Sequence, residues 1–246
     1  MMKKLLSVVG LLSLLNLSVP AQYRVPLEVQ DIATLVTVNP AVPNQTIVVK
    51  DALRGGIFQK VTNQTSTNSG VKFASATAGY SWQRIFSGPL DVQWFGATGN
   101  GTDNDTAAIQ AALTAAATTK GNRVGFPPGE YLANIVITNP VVIEGSFGVL
   151  DTGNTNRIRP WDGTVPTLEV KSGGVILRNL RLYGTDRNGV LAGTALKLTG
   201  GVGVAASEQN LFEGVVFHRY NGKMVHVETG GAGNSTRMPS AGDPPP

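Results

Sequence analysis

Trp94-Phe95-Gly96-Ala97-Thr98-Gly99-Asn100-Gly101-Thr102-Asp103-Asn104-Asp105-Thr106-Ala107-Ala108-Ile109-Gln110-Ala111-Ala112-Leu113 is a turn-rich segment that runs into the one convincing helix pattern of the chain. Over 106–118, Ile109, Ala112, Leu113 and Ala116 recur at i, i+3, i+4 and i+7, a narrow apolar stripe. Asn104 or Asp105 is placed to accept from the orphan amide hydrogens of the first turn, and Asp105 lies at the positive end of the helix dipole. Asp103 and Asp105 are therefore read as capping residues in preference to metal ligands or catalytic acids.

Downstream the pattern changes to strands of three or four residues with turns between them: 123–126, 135–137, 141–143, 168–170, 175–177 and 180–182. An internal repeat links them. Val175–Leu182 resembles Asn210–Phe217 at an offset of 35, and Leu196–Gly201 resembles Val225–Gly231 at 29–30, with an insertion over Tyr183–Thr194. Short strands in a drifting repeat predict a solenoid, in which each turn buries its apolar face against the next. No leucine–asparagine consensus recurs, which disfavours leucine-rich repeats; a β-sandwich is the alternative fold. A solenoid exposes its core at its ends, so helix 106–118 is placed to plug the N-terminal opening.

Upstream, Lys3 and Lys4 precede an apolar run from Leu5 to Leu17, and Ser18-Val19-Pro20-Ala21 offers a small-residue cleavage site. This reads as a signal peptide over 1–21: the run is shorter than the ~20 residues that span a bilayer. An uncleaved anchor is the alternative. Residues 22–50 form a lead-in with a helical turn after Asp31 and a strand at Ile47-Val48-Val49. Residues 51–90 form a small β region with a polar turn at 62–70. The main domain is 91–229, and the Gly-, Ser- and Pro-rich 230–246 is expected to be disordered.

The 246 residues contain no cysteine, which excludes disulfides and thiolate metal sites. Cleavage would remove two lysines and no acid, lowering the formal charge from +4 to +2. No basic run or face remains to predict nucleic-acid binding, and no membrane partner is expected once the signal peptide is cleaved.

The 94–113 segment, followed by Val124-Gly125-Phe126-Pro127-Pro128-Gly129-Glu130-Tyr131, resembles the opening of the pectate-lyase superfamily, in particular the rhamnogalacturonase/epimerase-like and polygalacturonase-related right-handed parallel β-helices. Asn100 and Asn104 stand where that family usually carries Asp. Gly55-Gly56-Ile57-Phe58, Trp82-Gln83-Arg84 and Val92–Gly96 are similar to the segment preceding the β-helix in phage tailspikes and some secreted bacterial proteins. The resemblance implies an all-β, right-handed parallel β-helix with an N-terminal capping helix and a small β lead-in. It further implies a secreted protein that processes pectin- or uronate-type glycans as a lyase or hydrolase, with an acidic polysaccharide as partner. Calcium enters as a cofactor only through this resemblance.

No catalytic residue carries over. The related hydrolases hold their catalytic aspartates on central rungs in Asn-x-Asp, Asp-Asp and Gly-His-Gly contexts, which the rungs here lack. Arg178 and Arg181 flank Leu180 and should point outward, with Glu213 opposite Arg178 at the 35-residue offset. They read either as a strip contacting acidic sugars or as a solvated face with one cross-rung ion pair. Tyr183 could stack on a sugar ring or cover the core edge. His218 and His226 lack companion ligands, so no metal site is read. At roughly 20–30 residues per turn, 91–229 makes about five turns. The expectation is the N-terminal part of a longer polysaccharide-processing protein, with a non-enzymatic carbohydrate-binding or tailspike-like attachment module as the alternative.

Overall fold

The computed structural model describes residues 27–39, 44–62, 70–119, 121–146, 156–199 and 210–228. The sequence readings for the signal peptide, most of the 62–70 turn and the tail fall outside the described residues. Among these residues no helix is long and apolar enough to cross a membrane.

The first unit is a five-stranded sheet in the order β1-β2-β3-β5-β4, from β1 (Leu27–Val29), β2 (Thr46–Val49), β3 (Gly56–Thr62), β4 (Lys72–Ala74) and β5 (Tyr80–Ile85). β1 and β2 are parallel and the remaining pairs antiparallel. Helix α1 (Ile32–Thr37) starts where the Asp31 carboxylate accepts from Thr34 N at 2.7 Å. Its Ile32 and Leu35 close one core with Val29, Ile47, Val49, Phe58, Phe73 and Trp82. Residues of the lead-in and of the small β region thus share one sheet and one core. The three-residue β1 carries too little pattern to reveal this beforehand.

The second unit is the β-helix. β6 (Leu90–Asp91) and β7 (Asn100–Asn104) open it, before helix α2 (Thr106–Ala116). Among the described residues four complete coils follow: β8 (Arg123–Phe126), β9 (Gly129–Leu132) and β10 (Ile135–Ile137); β11 (Val142–Gly145), β12 (Asn156–Arg159) and β13 (Leu168–Val170); β14 (Ile176–Arg178), β15 (Arg181–Tyr183) and β16 (Thr194–Thr199); β17 (Leu211–Glu213), β18 (Val216–His218) and β19 (Lys223–Glu228). They stack into three parallel sheets, β17-β14-β11-β8-β6, β18-β15-β12-β9-β7 and β10-β13-β16-β19. All pairings within them are parallel, which excludes the sandwich.

The fold is a right-handed parallel β-helix, the hand that parallel crossovers adopt almost without exception. The sheets send rows of side chains inward: Val124, Ile143, Leu177, Phe212; Tyr131, Ile158, Leu182, Phe217; and, from the third sheet, both Ile135, Leu168, Leu196 and Ile137, Val170, Leu198. These rows make up most of the main core. Among the described residues the last coil is the least covered, with Val225 45% exposed.

Helix α2 takes the place of a third strand in the opening coil. Ile109, Ala112, Leu113 and Ala116 are buried, as the stripe predicts. Gln110 completes the plug: its amide donates to Val136 O at 2.8 Å and accepts from Val136 N at 3.3 Å. The edge strand β10 thus bonds to a side chain that mimics a neighbouring backbone, which blunts an otherwise open edge.

At the corner between the first two β-helix sheets, consecutive coils approach closely. A Cβ on Gly145 would run into the Asn179 carbonyl oxygen, so only glycine fits there.

Candidate functional site

The sheet β18-β15-β12-β9-β7 carries an outward ladder of charge and aromatic rings. Glu130 lies beside Arg157, and the register Ile158–Leu182 sets Arg157 next to Arg181 and Arg159 next to Tyr183, which lies beside His218. Glu130 pairs with both Arg157 and Arg159, and Arg157 Nε donates to it at 2.7 Å. Arg159 also donates to Thr185 O at 2.6 Å and Asp186 O at 2.5 Å, fixing the loop after β15. The Arg157 guanidinium sits 4.4 Å from the Tyr183 ring centroid, with Arg219 at 5.7 Å. His218 stacks on the same ring at 5.0 Å and 27°. Cations over an aromatic face are held by the ring quadrupole, so the rib is pre-organised. A small crevice beside it is lined by Arg157, Arg181, Tyr131, Phe126 and Pro127.

Leu177, Leu180 and Leu182 point inward, and Arg178 Nε donates to Glu213 at 3.1 Å across 35 residues, as the repeat predicts. Both partners are exposed, so the pair adds little stability. Arg181 lies on the adjoining sheet, around the Asn179–Leu180 corner. The structure thus brings Arg178 and Glu213 together and gives Arg181 different company. Arg157 and Arg159 are absent from the sequence reading because β12 was not recognised, so Glu130 was not read as a site residue, although Arg157-Ile158-Arg159 carries the polar–apolar–polar alternation that would have revealed the strand.

Asp103 and Asp105 are corrected. The helix is capped by Asn104, whose Oδ1 accepts from Thr106 N at 3.0 Å. Asp105 is buried at the N-cap position but makes no capping bond. Its carboxylate turns back to accept from Thr98 N at 2.7 Å, Thr98 Oγ1 at 3.3 Å and Gly99 N at 3.3 Å. Asp103 accepts from the Asn100 amide at 2.8 Å within the exposed turn. Spacing identifies carboxylates near a helix start, but tertiary contacts decide what they bond.

Burial raises the Asp105 carboxyl above its ordinary value, against the lowering effect of its hydrogen bonds. A carboxyl raised on folding supports stability at pH below its unfolded value and loses that support as pH rises through its folded value. The stability of the wild type relative to Asp105→Asn should therefore decline as pH rises from below the ordinary carboxyl range towards neutrality in parallel thermal melts. A difference that grows with pH would show that the hydrogen bonds outweigh burial.

The fold and this outer face define a class: parallel β-helices that present charged and aromatic side chains along a lateral sheet. Residues 90–153 match the family model for rhamnogalacturonase A/epimerase, pectate lyase-like. That match covers the opening of the β-helix, and the likeness to solved structures extends the parallel β-helix fold over most of the chain. Similar solved structures include tailspike protein gp49 of Acinetobacter baumannii bacteriophage Fri1, a capsular polysaccharide depolymerase, at 16% identity and TM-score 0.61, covering 82% of this chain and 40% of that one. The enzymatically active domain of bacteriophage CBA120 tailspike protein 2 matches at 17% and 0.63, over 82% of this chain and 34% of that one. Pantoea stewartii WceF, a glycan biofilm modifying enzyme with a tailspike-like parallel β-helix, matches at 20% and 0.61, over 81% and 31%. The chain thus spans less than half the length of each. No curated protein matches it by sequence.

Proposed function

We propose that this chain is the N-terminal part of an exported, polysaccharide-processing β-helix protein, and that it binds an acidic glycan across the corner between its first two β-helix sheets. The observation that carries the reading is the Arg157–Tyr183–His218 stack with Arg181 beside it, which sets an ordered aromatic edge and the Arg181 guanidinium on a rigid sheet, with Arg157 held by Glu130. Guanidinium groups match carboxylates in a planar, two-pronged geometry. Arg178, oriented by Glu213, extends the cationic path over the corner to the neighbouring sheet. The glycan activities of the tailspike and WceF relatives support a carbohydrate partner, and the apolar run at 5–17 supports export.

The reading is tested by calorimetric titration of the chain with polygalacturonate. Binding should weaken with added salt, because exposed charges are screened, and Arg181→Ala combined with Tyr183→Ala should weaken it at least about tenfold. No binding, or binding indifferent to these substitutions, contradicts the reading. Release of reducing ends or unsaturated products in the same mixtures separates a processing enzyme from an attachment module. The rungs here lack the Asn-x-Asp, Asp-Asp and Gly-His-Gly contexts of the hydrolases that the sequence resembles, so the expected outcome is binding without turnover by this chain alone.

A further inference from the structure

A second cleft, of ≈ 320 Å³, lies where the first unit meets the opening of the β-helix; among its lining residues are Ser87, Asp91, Trp94, Gly125, Glu144 and Ser146. Its size falls within the range of small-ligand sites, roughly 300–1,000 Å³. The register places Asp91 beside Gly125 and Gly125 beside Glu144, so two carboxylates stand on either side of a residue without a side chain. The Trp94 indole forms a wall and is held in place: the Arg84 guanidinium lies 4.4 Å from its centroid, and Phe86 meets it edge-on at 5.3 Å and 69°. An aromatic wall facing hydrogen-bond acceptors suits a pyranose ring, which presents C–H groups on its faces and hydroxyls at its rim.

The charge pattern narrows the ligand. No lysine or arginine is among the lining residues. Each carboxylate already has a cation partner, with Arg84 acting electrostatically on Asp91 and Arg123, on the same outward face, donating to both Glu144 oxygens at 2.8 and 2.6 Å. A uronate entering here would meet two carboxylates, and the neighbouring cations Arg123 and Arg178 are already paired with Glu144 and Glu213, whereas neutral hydroxyls would find acceptors. The cleft also shares Phe126, Pro127 and Ser146 with the crevice beside Arg157 and Arg181.

We propose that this cleft is a subsite for a neutral sugar unit, so that a glycan crossing the corner places an acidic unit against Arg157 and Arg181 and a neutral one against Trp94. The preferred ligand is a mixed acidic–neutral heteropolysaccharide, not a pure polyuronate. This inference rests on the acidic-glycan reading of the neighbouring face.

The test compares the full chain binding gellan oligosaccharides, which combine glucuronate with glucose and rhamnose, and polygalacturonate oligosaccharides of equal length. The gellan fragments should bind about tenfold tighter. Ser87→Trp, an exposed substitution that fills the cleft, should abolish that advantage and leave polygalacturonate affinity unchanged; Glu144→Gln should reduce it. Equal affinity for the two ligands, or substitutions that weaken both alike, overturns the subsite while the acidic-face reading stands. Failure to bind either ligand overturns both.

Discussion

Replacing Leu177 by alanine should cost about 3–4 kcal/mol of stability in urea denaturation. Leu177 is fully buried in the third coil, between Ile143 of the coil before and Phe212 of the coil after. A solenoid interior has close contacts above and below every inward side chain, so the lost methyl groups leave a void that neither neighbour can fill without shifting its own coil. Phe212→Ala removes a larger side chain yet should cost less, about 1–2 kcal/mol, because Phe212 is only partly buried in the last described coil. Equal costs at the two positions would show that the last coil is covered as well as the third.

Arg84→Met should destabilise by about 3–5 kcal/mol and loosen the joint between the two units. Arg84 is 4% exposed, and donates to Gly70 O at 3.0 Å, Gly55 O at 2.5 Å and Arg54 O at 2.7 Å. Its guanidinium also lies over Phe58 of the first core and Trp94 of the second. Methionine retains much of the apolar contact but leaves three carbonyl oxygens without these donors, each a penalty of roughly 1–3 kcal/mol when buried. Burial lowers the Arg84 guanidinium to about 10, so it stays protonated through the neutral range. Limited proteolysis should then cut the 50–90 region faster in the variant. An unchanged cleavage rate would mean that Phe95 and its neighbours hold the joint without Arg84.

The repeat and its register were legible in the sequence because both ends of it are apolar. The 35-residue offset of 175–182 reappears as the Leu177–Phe212 pairing, and the 29-residue offset as Leu196–Val225. The helix stripe was legible for the same reason. Polar strands were not. β7 is Asn-Gly-Thr-Asp-Asn, with no apolar signal, and pairs with β9 through an irregular register. β12 follows a stretch with little pattern of its own, and its loss hid the two arginines that clasp Glu130. Asp105 and Arg84 escaped for a different reason: their partners come from other elements, and spacing along the chain carries no trace of them.

The binding face, the cleft and the joint all depend on coils stacked in parallel at these offsets. A cross-linking measurement tests that stacking most directly, and the absence of cysteine makes it clean. Arg178→Cys with Glu213→Cys places thiols on paired positions of adjacent parallel strands, about 4.8 Å apart at the backbone and within reach of a disulfide. Arg178→Cys with His226→Cys puts the second thiol on a different sheet of the next coil. Under mild oxidation, peptide mapping by mass spectrometry should find the 178–213 link in nearly all molecules and no 178–226 link. A reduced 178–213 pair, or comparable linking in both variants, would contradict the parallel stack.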